Sequence, residues 1–198
     1  MKASRNLIAL VGLALVVLVV IGVRVLVWSG HDGGAGGVPA IGGPFQLTDH
    51  TGKTVSDRDF RGRYMLIFFG YTFCPDVCPT TLATVAGALD KLGPAGAKVV
   101  PIFVTVDPER DSVAVMKDYV SAFGPTIVGL TGTPDEIAKV AKEFKVYAAK
   151  VTSDKADGYT VDHSAILYLM GPDGRFIAHF THGISADDLA AGLKKHIG

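Results

Sequence analysis

The chain has 198 residues, 48% of them hydrophobic, which is the length of one ordinary domain with a short appendage rather than of two independent cores. Lys plus Arg and Asp plus Glu each total 19, so there is no basic excess to neutralise a phosphate backbone, and nucleic acid is excluded as the main partner. Lys2, Arg5 and Arg24 are the only charged residues before Asp32, which leaves the rest of the chain mildly acidic, with 16 basic against 19 acidic side chains.

Leu7 to Val27 is an apolar run interrupted by one charge, Arg24. At about 1.5 Å per residue it spans roughly the 30 Å of a hydrocarbon layer. It exceeds the ~7 to 15 apolar residues of a signal peptide and is followed by Trp28-Ser29-Gly30-His31 rather than a small-residue cleavage site, so residues 1–29 read as an uncleaved membrane anchor. Lys2 and Arg5 precede the run, and no Lys or Arg lies between Arg24 and Lys53. The positive-inside rule therefore keeps the N-terminus in the cytoplasm and predicts an exported domain on the periplasmic side of the cytoplasmic membrane. Residues 30–43 include seven glycines and read as a flexible tether, with the folded domain over 44–198.

Within that domain, Phe45 to Thr48 and Lys53 to Val55 flank Asp49-His50-Thr51-Gly52 and predict an N-terminal β-hairpin. Tyr64 to Gly70 is a continuous apolar run, the pattern of a strand covered on both faces. Leu82, Val85, Ala86, Leu89 and Leu92 recur at helical spacing up to Gly93-Pro94. A second buried strand over Ile102 to Val106 is entered through Pro101, a residue suited to strand starts, and a helix over Ser112 to Phe123 follows. Ile127 to Leu130 predicts a third strand, and Thr133-Pro134-Asp135-Glu136 is a capping box opening a helix to about Phe144. Ala148 to Thr160, rich in Lys, Asp, Ser and Gly, reads as a mobile loop. Ala165 to Met170 and Arg175 to Phe180 form a terminal hairpin across Gly171-Pro172-Asp173-Gly174, and Ser185 caps a last helix to about His196. Alternating strands and helices between two hairpins predict a three-layer α/β domain with a central mixed sheet.

The two cysteines of the chain stand in Cys74-Pro75-Asp76-Val77-Cys78, between a buried strand and a helix. A helix N-terminus presents unpaired N–H groups and partial positive charge, which favour thiolate over thiol. Pro75 and Pro79 stiffen the loop, and the carboxyl end of a strand is where α/β sheets place ligands. A structural disulfide here would close a ring of only five residues, worth about 2 kcal/mol by loop entropy. The C-x3-C spacing is one residue wider than the C-x-x-C of thioredoxin-like redox motifs, which points toward chelation, though two thiolates alone underdetermine the metal.

Of six histidines, His31 falls in the tether, His50 in a turn, His179 and His182 near the end of a hairpin strand, and His196 in a last helical turn, where solvation and the helix dipole account for them. His163 differs, because Tyr159-Thr160-Val161-Asp162-His163-Ser164 leads directly into the strand from Ala165. On its own it reads either as a structural strand-edge histidine or as a third ligand. Met65, Met116 and Met170 lie in apolar runs and read as core rather than as metal-binding thioethers, and Arg110 with its neighbouring acids reads as a structural ion-pair knot rather than a binding element.

The segments Gly70-Tyr71-Thr72-Phe73-Cys74-Pro75-Asp76-Val77-Cys78-Pro79, Val106-Asp107-Pro108-Glu109-Arg110-Asp111, Val161-Asp162-His163, Tyr168-Leu169 and Gly171-Pro172-Asp173-Gly174 closely resemble the Sco/SenC family, in matching order over about residues 40–198. The resemblance implies a thioredoxin-like fold, a single N-terminal anchor, and a role in delivering copper to, or preparing the thiols of, the binuclear copper centre of a cytochrome c oxidase subunit. It carries copper ligation onto Cys74, Cys78 and His163. Two soft thiolates suit Cu(I) and an added imidazole admits Cu(II), whereas a structural zinc would usually have four protein ligands. Asp76 and Asp162, beside the ligands, read as acceptors behind them, as partner contacts or as solvated loop residues. Other copper chaperones or thiol reductants are further expected partners. The competing reading is a thiol:disulfide oxidoreductase, in which Cys74 and Cys78 are the redox pair and His163 is dispensable; a peroxidase or redox sensor would need a fast peroxide-reactive cysteine.

Overall fold

Residues 41–152 and 158–198 are described by the structure, a computed structural model. The expected anchor, nearly all of the tether and the centre of the Ala148 to Thr160 segment lie outside these residues. Among the described residues no helix is long and apolar enough to cross a membrane. In chain order the elements are β1 (Gln46–Asp49), β2 (Thr54–Ser56), β3 (Tyr64–Gly70), α1 (Val77–Leu92), β4 (Val99–Thr105), α2 (Val113–Ser121), β5 (Val128–Thr131), α3 (Pro134–Glu143), β6 (Ala148–Thr152), β7 (Tyr159–His163), β8 (Ile166–Met170), β9 (Phe176–Thr181) and α4 (Ala186–Ile197).

A seven-stranded mixed sheet runs in the order β2-β1-β5-β4-β3-β8-β9. Its centre is parallel, β3 to β4 and β4 to β5, and the two predicted hairpins add antiparallel strands at its edges. The apolar run of β3 alternates between two cores. Leu66 and Phe68 face a core with Cys78, Leu82 and Val85 of α1, Met116 and Val120 of α2, and Leu189 and Leu193 of α4. Met65, Ile67 and Phe69 face the other, with Ile137 and Val140 of α3, Phe144, Phe45 and Leu47. Covering both faces removes the polar alternation a half-exposed strand would show, which is why β3 reads as an unbroken apolar run. Met65, Met116 and Met170 are all buried core residues.

The helix termini follow the sequence signals. Ser112 Oγ accepts from Val115 N at the start of α2, Thr133 and Glu136 close a capping box on α3, and Ser185 Oγ accepts from Asp188 N at α4. The last residues of the expected tether are already in contact with the domain: Ile41 packs on the second core and Gly42 N–H donates to the Glu143 carbonyl at 2.9 Å.

Two expectations are corrected. Pro101 does not open its strand but sits third in β4, opposite Leu66; the ladder to β5 begins only at Ile102 opposite Val128, so Pro101 still has one unpaired flank. The segment read as a mobile loop contains β6, which pairs antiparallel with β7 in a separate two-stranded sheet, from Ala148 opposite His163 to Thr152 opposite Tyr159. Its composition misleads because the ribbon is mostly solvent-facing: Val161 is its one buried side chain among the described residues.

Candidate metal centre

The parallel strand β3 ends at Gly70, and the chain turns through Tyr71, whose carbonyl accepts the Cys74 N–H at 3.2 Å. Helix α1 begins at Val77, slightly earlier than its apolar periodicity indicates, so Cys78 lies in its first turn and Pro79 occupies a position whose N–H would have no helical partner. Cys78 is fully buried and Cys74 half-buried, and both are free cysteines. Gly70 makes this packing possible. A Cβ there would lie 2.6 Å from Cys78 Sγ and 2.7 Å from Phe103 Cε2, too close for either to remain in place.

The Cys78 backbone N–H, an otherwise unpaired donor of the helix N-terminus, points at Cys74 Sγ at 3.4 Å. Cys74 is held far below the ordinary thiol range, at about 3, chiefly by its hydrogen bond with the Cys78 side chain, with His163 and the backbone N–H groups of Asp76 and Cys78 adding to it against the opposing effect of burial. The same contact with Cys74, together with burial, pushes Cys78 upward. One proton between the two sulfurs therefore leaves Cys74 as the thiolate and Cys78 as its donor.

The third member arrives on β7. His163, the last residue of that strand, places Nε2 at 3.5 Å from Cys78 Sγ. Its Nδ1 lies 3.3 Å from the Ser164 carbonyl, a contact that orients the ring and leaves Nε2 facing the sulfurs. The ring stands edge-on to Tyr71 and Phe68, at 5.8 and 6.1 Å between centroids. A backbone bond from Ser164 N to the Tyr147 carbonyl (3.0 Å) and one from Tyr147 N to Ser164 Oγ (3.1 Å) fix the turn just beyond it.

Cys74, Cys78 and His163 thus present their ligand atoms within 4.8 Å of one another, the only such group of His, Cys, Asp or Glu among the described residues. Two metal–sulfur bonds of about 2.3 Å span at most ~4.6 Å, so the cluster closes on an ion with small side-chain adjustments. The donor set of two sulfurs and one imidazole is a soft one, suited to copper.

The remaining sequence candidates are not drawn in. His50 Nδ1 accepts from Gly129 N–H at 3.1 Å, and His179 stacks on Phe176. Asp76 and Asp162 are both exposed; the Asp76 carboxylate takes a long 3.4 Å bond from Thr80, and the group behind His163 is the Ser164 carbonyl. Sequence reasoning missed Gly70 and Tyr71, which shape the pocket, and Tyr159, which reaches it through Arg110. The signal for Gly70 was available: a glycine closing a buried apolar strand marks a close approach by another group.

The sequence profile of the SCO1/SenC family matches residues 34–198. Among solved structures, Bradyrhizobium japonicum ScoI with copper bound is 52% identical with a TM-score of 0.73, covering 79% of this chain and 99% of that one. Arabidopsis thaliana ScoI with copper bound is 43% identical with a TM-score of 0.76, covering 80% and 98%. The human mitochondrial SCO1 homolog is 40% identical over 163 residues, 81% of this chain and 54% of the relative. The chain spans about half the length of the first curated relatives it matches.

Proposed function

The chain belongs to the SCO1/SenC family, and from that membership and the Cys74, Cys78, His163 cluster we propose that it is a copper-binding chaperone for assembly of the binuclear copper centre of cytochrome c oxidase. Copper is its cargo, held by the two sulfurs and the imidazole. The carrying observation is the convergence of three side chains, Cys74 from the loop before α1, Cys78 from its first turn and His163 from the end of β7, with ligand atoms within 4.8 Å of one another. The thiolates supply the affinity for Cu(I), and the His163 imidazole extends the set to Cu(II). The partner is the copper-bearing oxidase subunit. Residues 7–27 anchor the chain with its domain on the periplasmic side of the cytoplasmic membrane, where a membrane-bound oxidase is within reach; a phosphatase that works only after export, fused behind Gly198, is expected to be active, and an inactive fusion would overturn this topology.

The sulfur asymmetry supports a second reading, a thiol:disulfide oxidoreductase. The Cys74 thiolate attacks a disulfide of the oxidase subunit and displaces one target thiol; Cys78 then attacks Cys74, closing the disulfide and releasing the second. The chain is oxidised by two electrons and the target is reduced by two. Anaerobic titration of the reduced full-length chain with Cu(I) and then Cu(II), beside His163→Ala, separates the two. Tight one-to-one binding of both ions, with Cu(II) lost in the variant, is expected. Weak binding indifferent to His163 would overturn the chaperone reading and leave the reductase.

A further inference from the structure

The turn after β4, residues 107–111, touches both arms of the site. On the cysteine side, the fully buried Asp111 carboxylate accepts from Thr72 N–H (3.1 Å) and Thr72 Oγ1 (2.6 Å), two residues before Cys74. On the histidine side, the fully buried Asp107 carboxylate accepts from Tyr159 Oη at 2.8 Å and from Arg110 Nε. Arg110 joins the arms. Its Nη1 donates to the Tyr159 carbonyl at 3.1 Å, and its guanidinium carbon lies 3.8 Å from the Tyr159 ring centroid and 4.8 Å from that of Phe73, the neighbour of Cys74.

The arrangement is poorly suited to stability alone. Arg110 is 16% exposed and its Nη2 is buried without a partner among the described residues, and a well-packed apolar side chain in such a place is often no less stable. What the arginine offers instead is a rigid planar fork with two usable faces. The ribbon it grips needs such a grip, because among the described residues β6 and β7 form no ladder with the seven-stranded sheet. His163 lies four residues along β7 from Tyr159, so a rotation of the ribbon at Tyr159 moves the imidazole relative to the sulfurs.

We propose that Arg110 is a positioning residue for the metal centre: it clamps Tyr159 of the ribbon against Phe73 of the cysteine loop and thereby sets the imidazole of His163 over Cys78. This rests on the reading of the three side chains as copper ligands and deepens it, assigning to the acidic turn a role beyond an ion-pair knot.

The test uses the reduced full-length chain carrying Arg110→Lys, which keeps the charge and loses the fork, and Tyr159→Phe, which keeps the ring and loses the bond to Asp107. Cu(II) affinity in Arg110→Lys is expected to fall by about tenfold or more while Cu(I) affinity stays within about threefold, with a changed thiolate-to-Cu(II) absorption band; Tyr159→Phe is expected to fall between Arg110→Lys and the parent. Without metal, amide exchange is expected to accelerate in β6 and β7 and not in β3 or β4. Parent-like Cu(II) affinity, spectrum and ribbon exchange in Arg110→Lys would overturn the proposal, as would equal loss of both ions with exchange accelerated throughout. If the parent chain itself binds no Cu(II), the ligand reading fails, while the metal-free exchange still decides whether Arg110 holds the ribbon.

Discussion

Cys74 and Cys78 are four residues apart and chemically unlike, because one sulfur sits at the mouth of the site facing helix N–H groups and the other sits in the core behind it. With Cys74 at about 3, the thiolate is fully formed at every pH above about 5. Its alkylation by iodoacetamide, followed by mass spectrometry, is therefore expected to be flat from pH 5 to 8 and to decline only toward pH 3. A thiol with the ordinary value near 8.5 would instead speed up about tenfold per pH unit across that range. Cys78, buried and shifted upward, is expected to stay unmodified until the chain unfolds. Behind both, Gly70→Ala places a methyl against Cys78 Sγ and Phe103, and overpacking of this kind costs about 1–3 kcal/mol. Urea denaturation should show that loss together with a copper-affinity decrease, whereas an unchanged midpoint would mean that the strand end can shift to admit the methyl.

The main sheet and its helices were legible in the sequence because each element announces itself locally: β3 by its unbroken apolar run, α3 by Thr133 and Glu136, the terminal hairpin by Gly171-Pro172-Asp173-Gly174. The β6–β7 ribbon was not, because nothing local distinguishes a solvent-facing ribbon from a polar loop; it is held by non-local groups, Arg110 on Tyr159 and Glu109 on Lys150 (2.7 Å). For the same reason the two cysteines were legible from their loop, whereas His163 needed the family resemblance to single it out. The entry to the ribbon also carries a backbone cost. Lys145 follows α3 with φ of 57°, its N–H bonded to the Lys142 carbonyl and the Val146 N–H to the Ala141 carbonyl, the paired bonds of a Schellman cap at which glycine is the usual residue. Lys145 is exposed, so Lys145→Gly should remove the left-handed strain without losing a packed side chain, for a gain of about 0.5–1 kcal/mol after glycine's larger unfolded-state entropy. At about 2–4 °C per kcal/mol, the melting temperature should rise measurably; a fall would show that the lysine stem contributes more than its backbone costs.

On the scale of the whole molecule, the fold separates what is rigid from what can change. The sulfurs are fixed at the junction of the central strand β3 and helix α1, both packed into the main core, while the imidazole arrives on a ribbon outside the sheet. A Cys74–Cys78 disulfide would therefore leave the core nearly intact, and the five-residue ring adds only about 2 kcal/mol of loop-entropy stabilisation. Its effect on the metal is much larger, since it removes both thiolates and leaves a single imidazole, too few ligands to hold copper against water. Oxidised and reduced chains should thus differ modestly in metal-free melting temperature and by orders of magnitude in copper affinity, with full recovery on reduction. Calorimetric melting beside copper titration of the two forms checks this. If the oxidised chain bound copper as tightly as the reduced one, the sulfurs would not be the ligands; if it melted far from the reduced one, the disulfide would be acting on the fold and not on the site alone.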